Sequence, residues 1–191
     1  EIVHRGHELG MHGWTHEPWH RLAPEEEDAL AARATDALSR AAGVRPLGFR
    51  APGGARTTHT AATLRRLGYR YDASLGDDMR VGILAPDLAQ IPFVWPAVDG
   101  FHYLRPEPAD PTTVRIAWLR ALERVAGDGG LFLLICHAFI TGVDDARLAV
   151  LEDVVRAAAA DDRIAIHTAG EIAEMTLARA DETPDRRATS T

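Results

Sequence analysis

A chain of 191 residues with 46% hydrophobic content is long enough for one domain around one core, and no apolar run approaches the roughly eighteen residues that span a bilayer. The formal net charge of −7 argues against a nucleic-acid partner, whose phosphates call for a basic face. All 21 basic residues are arginine, a mark of genome composition more than of binding, and the lone Cys136 can form no internal disulfide, so cytoplasmic and secreted or cell-envelope locations both stay open.

The first informative stretch is Gly6-His7-Glu8-Leu9-Gly10-Met11-His12-Gly13-Trp14-Thr15-His16, which sets two imidazoles, His12 and His16, four residues apart. On a helical turn that step brings both rings to one side, and neutral imidazole is the commonest protein ligand for zinc and suits cobalt and nickel. The same spacing also reads as a His-rich surface turn. Pro24 then opens an Ala-rich amphipathic run to Ala42, with Glu25, Glu26 and Glu27 at the positive end of the dipole and Gly43 as the stop: a helix.

Residues 49–51 read as a short strand, halted by Pro52 and the Gly53-Gly54 pair so that Arg50 stands at the mouth of a loop. A helix over 60–67 ends at Gly68, a strand follows over 69–74, and 76–88 reads as irregular. Residues 91–98 are expected to form an aromatic-rich strand, interrupted by Pro92 and Pro96, that delivers Asp99 at its far end. Helices are expected over 113–126 and 145–160. Between them 131–136 has the pattern of a buried parallel strand closed by His137, and a last strand over 164–167 precedes a helix from about Glu171. The tail from Asp181, rich in Thr, Arg, Asp and Pro, reads as disordered. Alternating strands and crossover helices imply an α/β fold with a parallel sheet and one domain over residues 1–180, without internal repeats.

Taken in order, His12-Gly-Trp-Thr-His16, Arg50-Ala-Pro52 and Leu134-Ile-Cys-His137 resemble the motifs of the polysaccharide deacetylase family, the NodB-homology or carbohydrate esterase 4 group, in its peptidoglycan deacetylase-like and allantoinase-like branch. The resemblance implies a distorted, incomplete (β/α) barrel, with strand ends converging on one face. It also implies a divalent metal, zinc first with cobalt or nickel as alternatives, held by His12 and His16. Arg50 orients the catalytic base, and His137 is the general acid. Asp99, in the place of the family's fourth motif, holds the His137 ring, with Asp72 as its rival. Pro52, Trp14 and Trp95 line the substrate site. Trp19 belongs either to that wall or to the core. His4, His7, His20, His59, His102 and His167 are read as structural, and Cys136 as packed.

One departure is large. The family opens with a strand ending in a Thr-Phe-Asp-Asp-Gly-like motif that supplies a third metal ligand and the general base, and no such segment precedes His12 here. The expectation is therefore a chain lacking its first strand, a weak metal binder that is inactive as it stands, with Asp77-Asp78 an unpromising substitute. The function implied is metal-dependent hydrolysis of a non-peptide carbon–nitrogen bond, deacetylating an N-acetylated sugar or a related small amide. The alternatives are an allantoinase-like cyclic amide hydrolase and a non-catalytic carbohydrate-binding remnant. No membrane partner is expected, and the oligomeric state is left open.

Overall fold

The computed structural model describes residues 1–182. In chain order its elements are β1 (Gly10–Met11), α1 (Pro24–Ala42), β2 (Gly48–Phe49), α2 (Thr60–Arg66), β3 (Tyr71–Asp72), β4 (Gly82–Ala85), β5 (Leu88–Gln90), α3 (Asp99–Tyr103), α4 (Pro111–Asp128), α5 (Asp145–Ala159) and α6 (Ala169–Glu182). They fall into two compact units. The first comprises Glu1–Leu75, Val81–Ile91 and the segment from Thr168; the second comprises Gly76–Arg80 and Pro92–His167.

The first unit is built on a five-stranded sheet in the order β1-β2-β3-β5-β4. The pairs β1/β2, β2/β3 and β3/β5 are parallel, with Gly10, Gly48, Tyr71 and Ala89 in one row and Met11, Phe49, Asp72 and Gln90 in the next. That register puts His12, Arg50 and Ala73 side by side just past the carboxyl ends of three neighbouring strands. Gly48 is required where it stands, because a Cβ there would lie 1.9 Å from Cζ of Tyr71. Met11, Trp19, Ala31, Ala34, Phe49, Leu64, Tyr69 and Leu88 form the core beneath.

Helix α1 shows how local sequence and packing agree. Pro24 occupies the first turn beside three glutamates, and Gly43, at φ 71°, closes the helix by donating its N–H to the Ser39 carbonyl. Its inward face carries Glu27, Ala31, Ala34 and Thr35, the spacing of a helical stripe. The Thr35 hydroxyl meets both the Ala31 carbonyl and the Tyr69 hydroxyl at 2.7 Å, which satisfies that buried hydroxyl.

In the second unit α4 and α5 pack around Tyr103, Val114, Trp118, Leu122, Ile140, Val150 and Val154. Both helices have acidic N-caps: Asp110 accepts from the Thr112 N–H at 2.8 Å and Asp144 from the Arg147 N–H at 3.0 Å.

Four expectations about strands are corrected. Residues 91–98 are not a strand; Pro92 and Pro96 cannot donate to a ladder, and Trp95–Ala97 turns into a 3-10 segment. With that neighbour gone, 131–136 keeps a single parallel bridge, Val98 to Ile135, made by Ile135 N–H to Ala97 and Asp99 N–H to Ile135, both 2.9 Å. Residues 164–167 form no strand either, and the Ile164 N–H closes a turn onto Asp161. The stretch 76–88, read as irregular, contains β4 and the start of β5, an antiparallel hairpin turned at Pro86-Asp87 with Asp87 at φ 62°. Strands β2 and β3 are shorter than expected, and Asp99 begins a short helix that the sequence reading missed. Of the tail expected to be disordered, Asp181 and Glu182 belong to α6, and the rest lies outside the described residues.

No helix among the described residues is long and apolar enough to cross a membrane.

Candidate functional site

The candidate residues form two clusters, one within each unit. In the first, His12 follows β1 and Arg50 follows β2. The His12 Nδ1 lies 2.8 Å from the Arg50 carbonyl oxygen. A carbonyl can only accept, so Nδ1 carries the proton and the ring lone pair sits on Nε2. The His16 ring lies 4.9 Å from that of His12, centroid to centroid, at 79°. A loop brings the two together, not the helical turn expected: Gly13 at φ 75° and His16 at φ 62° both adopt the left-handed region. Both imidazoles are solvent-exposed.

Glu17 holds this loop, accepting from the N–H groups of Trp14 at 3.0 Å and Thr15 at 2.7 Å. Burial raises its carboxyl pKa, but these donors outweigh burial and hold it below the usual range. Pro52 is buried and presses on the same loop, its Cγ only 2.7 Å from where a Cβ on Gly13 would stand. Trp14 is exposed, with the Arg33 guanidinium 4.1 Å over its ring. Trp19 is fully buried, donating from Nε1 to the Thr60 hydroxyl at 3.1 Å; of the two readings left open for it, core is the one observed.

Arg50 is gripped by the segment after β3, its Nε donating to the Ala73 carbonyl at 2.8 Å. Burial pulls its guanidinium below the ordinary value, opposed by Tyr71 and Asp72. Asp72 is fully buried, accepting from the Ser74 hydroxyl at 2.6 Å and from Arg56 at 2.5 Å. Burial raises its pKa against both partners.

In the second unit, Asp99 is fully buried, and three of the four hydrogen bonds its carboxylate accepts come from the loop of His137. Oδ1 accepts from His137 Nδ1 at 2.5 Å and from the Gly100 N–H at 2.6 Å; Oδ2 accepts from the His137 N–H at 2.6 Å and the Thr141 hydroxyl at 2.8 Å. Of the two carboxylates considered as partner for His137, Asp99 is the one bonded to it. The imidazole is a third exposed, with Nδ1–H fixed toward Asp99, so Nε2 is the atom that exchanges protons. Phe139 packs on the His137 ring at 5.3 Å. Trp95 is exposed and stands edge-on to Phe93 at 5.5 Å. Asp77 and Asp78 are exposed, and Asp78 pairs with Arg80.

The sequence reading missed Glu17, Ser74, Arg56 and Thr141. Thr141 lies four residues after His137 and Glu17 three after Trp14, spacings at which a turn returns a side chain to its own loop. Arg56 meets Asp72 from 16 positions away and left no such local signal, whereas Ser74, two residues after Asp72, stood at a spacing open to reading.

Among the described residues no group of three or more His, Cys, Asp or Glu is arranged to hold a metal ion. The donor chemistry of His12 and His16 nonetheless suits two positions of a zinc-type site. The neutral Nδ1–H tautomer of His12, fixed by a backbone carbonyl, is the arrangement by which outer partners orient ligating imidazoles.

Residues 1–71 match the polysaccharide deacetylase family. A peptidoglycan deacetylase-like protein, FGM2, of Gibberella zeae is 35% identical over 74 residues, and a peptidoglycan deacetylase of Helicobacter pylori 37% identical over 75; each match covers 39% of this chain. The matched segments span only 22% and 25% of those two proteins. The fold likeness extends further. A crystal structure from Mycobacterium smegmatis, described as a polysaccharide deacetylase, superposes on all of this chain and 69% of its own, with a TM-score of 0.87 and 29% identity. Residues 1–71 thus share the sequence pattern of the polysaccharide deacetylase family, and the α/β architecture with its parallel sheet is like that of the Mycobacterium smegmatis structure.

Proposed function

We propose that the protein is a metal-dependent hydrolase of a non-peptide amide bond, removing the acetyl group from an N-acetylated sugar. The observation that carries this reading is the buried Asp99 carboxylate, which fixes His137 in one tautomer with its outer nitrogen toward solvent. That is the equipment of a general acid. A positioned imidazolium protonates the departing amine nitrogen at Nε2, while Asp99 stabilises the charge and the ring orientation, a contribution of about 10²–10⁴ in rate. The match of residues 1–71 to the polysaccharide deacetylase family and the His12–His16 pair support the remainder of the assignment.

His12 and His16 are the ligands proposed for the metal, zinc first and cobalt or nickel next. A divalent ion there supplies Lewis-acid polarisation of the acyl oxygen and activation of water. Arg50 orients the base, as the family resemblance implies, its guanidinium held at Ala73. Pro52, Trp14 and Trp95 are proposed to contact the sugar, the two indoles being exposed and so able to stack on a pyranose ring.

The test is the protein as its gene encodes it, assayed with zinc, cobalt or nickel against acetylated chitooligosaccharides, with allantoin as the competing substrate. His137→Ala is expected to keep its metal and lose turnover about 10²–10⁴-fold. His12→Ala and His16→Ala are expected to lose both metal and activity. One metal per chain in His16→Ala would overturn the ligand assignment, loss of metal in His137→Ala would make that residue a ligand, and turnover of allantoin alone would overturn the sugar substrate.

A further inference from the structure

The Arg50–Ala51 peptide group is held at both ends. Its carbonyl accepts the His12 Nδ1 at 2.8 Å, and its N–H donates to the Ser74 hydroxyl at 2.9 Å. Ser74 in turn donates to Oδ1 of Asp72 at 2.6 Å, and Oδ2 of Asp72 accepts from Arg56 at 2.5 Å. Each donor and acceptor follows from valence. The Ser74 hydroxyl has one proton, given to the carboxylate, so it receives from Ala51. Asp72, Ser74 and the Ala51 N–H are all buried. In such surroundings hydrogen bonds linked in series polarise one another, and a peptide whose N–H is drawn toward an anion-backed hydroxyl becomes a stronger acceptor at its carbonyl.

We infer that Asp72 is a positioning residue for His12, acting through Ser74 and the intervening peptide to hold the imidazole with its proton on Nδ1. The inference rests on His12 being a metal ligand, as proposed above. Metal-ligating histidines commonly bond a carboxylate or a backbone carbonyl directly, and here the carboxylate works through a carbonyl, two hydrogen bonds and one peptide removed. The same segment fixes Arg50, because Ala73 lies between the two relay residues and accepts the Arg50 Nε. A single strand end therefore sets the attitude of both His12 and Arg50. Asp72, weighed in the sequence as a partner for His137, has this use instead.

The experiment reads the tautomer directly, without substrate or metal, from two-bond proton–nitrogen NMR correlations of the histidine rings at a pH where His12 is neutral. The wild type is expected to show His12 protonated at Nδ1. Ser74→Ala is expected to give a mixture of tautomers and faster exchange of that proton, and Ser74→Thr, which keeps the hydroxyl, to restore the wild-type signal. Should Ser74→Ala fail to fold, Asp72→Asn retains the volume and reads the same signal. Cobalt titration is expected to show affinity about 10-fold weaker in Ser74→Ala than in wild type. An unchanged His12 tautomer and exchange rate in these variants overturns the relay. An Nδ1-protonated wild type that shifts on Ser74→Ala but takes up no cobalt upholds the relay and overturns the metal reading.

Discussion

Cys136 precedes His137 in the chain yet behaves as part of the core that includes Tyr103 and Trp118. Burial, reinforced by the Asp99 charge and only partly offset by the Thr141 hydroxyl, pushes its thiol up to about 11. A raised pKa keeps the neutral, unreactive form across the physiological range. At pH 8 an ordinary thiol near ~8.5 is about a quarter ionised, whereas this one is about a thousandth ionised, so alkylation by iodoacetamide is expected to be roughly 10²-fold slower than for a free cysteine. The rate should climb with pH until about 11. A Cys136 that alkylates at pH 7 as fast as glutathione would contradict the burial. The candidate site residues stood out because each belongs to a recognisable motif: His137 ends Leu134-Ile-Cys-His137, and Arg50 opens Arg50-Ala-Pro52. What Asp72 does was not legible, because Arg56 reaches it from 16 positions upstream through the pairing of β2 with β3, and only Ser74, two residues on, is a local partner.

At the scale of elements the helices were read well and the strands poorly, for one physical reason. Helix α1 carries its own instructions in Pro24, the three glutamates and Gly43, and α4 carries Asp110 and Pro111. A strand needs a neighbour, and residues 131–136 lost theirs when Pro92 and Pro96 turned the adjacent segment into a 3-10 form. The caps are also where stability can be adjusted. Asp110→Ala removes an N-cap and is expected to cost about 1 kcal/mol, seen as a lower urea midpoint at unchanged slope. Ala23 sits at the extended N-cap position of α1 with no side-chain acceptor, so Ala23→Ser is expected to gain about 0.5–1 kcal/mol. An Ala23→Ser variant no more stable than wild type would mean that the glutamates of the first turn already satisfy those N–H groups.

Across the whole molecule, the α/β class and the parallel sheet follow from the alternation of apolar segments, and the family resemblance from three short motifs in order. The hairpin of β4 and β5 escaped because its apolar residues alternate weakly and its turn depends on Asp87 adopting a left-handed conformation that many residues avoid. The last described helix is tied to the first unit by polar bonds at both ends of the sequence. Glu8 accepts from the Tyr71 hydroxyl and from the Gly170 N–H, and Arg70 pairs with Glu174.

Those bonds impose an order in time. As the ribosome releases the chain, residues 92–167 of the second unit emerge as one continuous stretch whose α4–α5 contacts are close in sequence. The first unit must wait for the chain to return at Thr168 before Glu8 can find Gly170 across 162 positions. Local contacts form faster than distant ones because the closure entropy of a long loop is met only once. Refolding followed by pulsed hydrogen exchange should therefore protect the amides of α4 and α5 before the Gly170 amide. Simultaneous protection would mean that the early and late segments of the chain find each other in the first collapse.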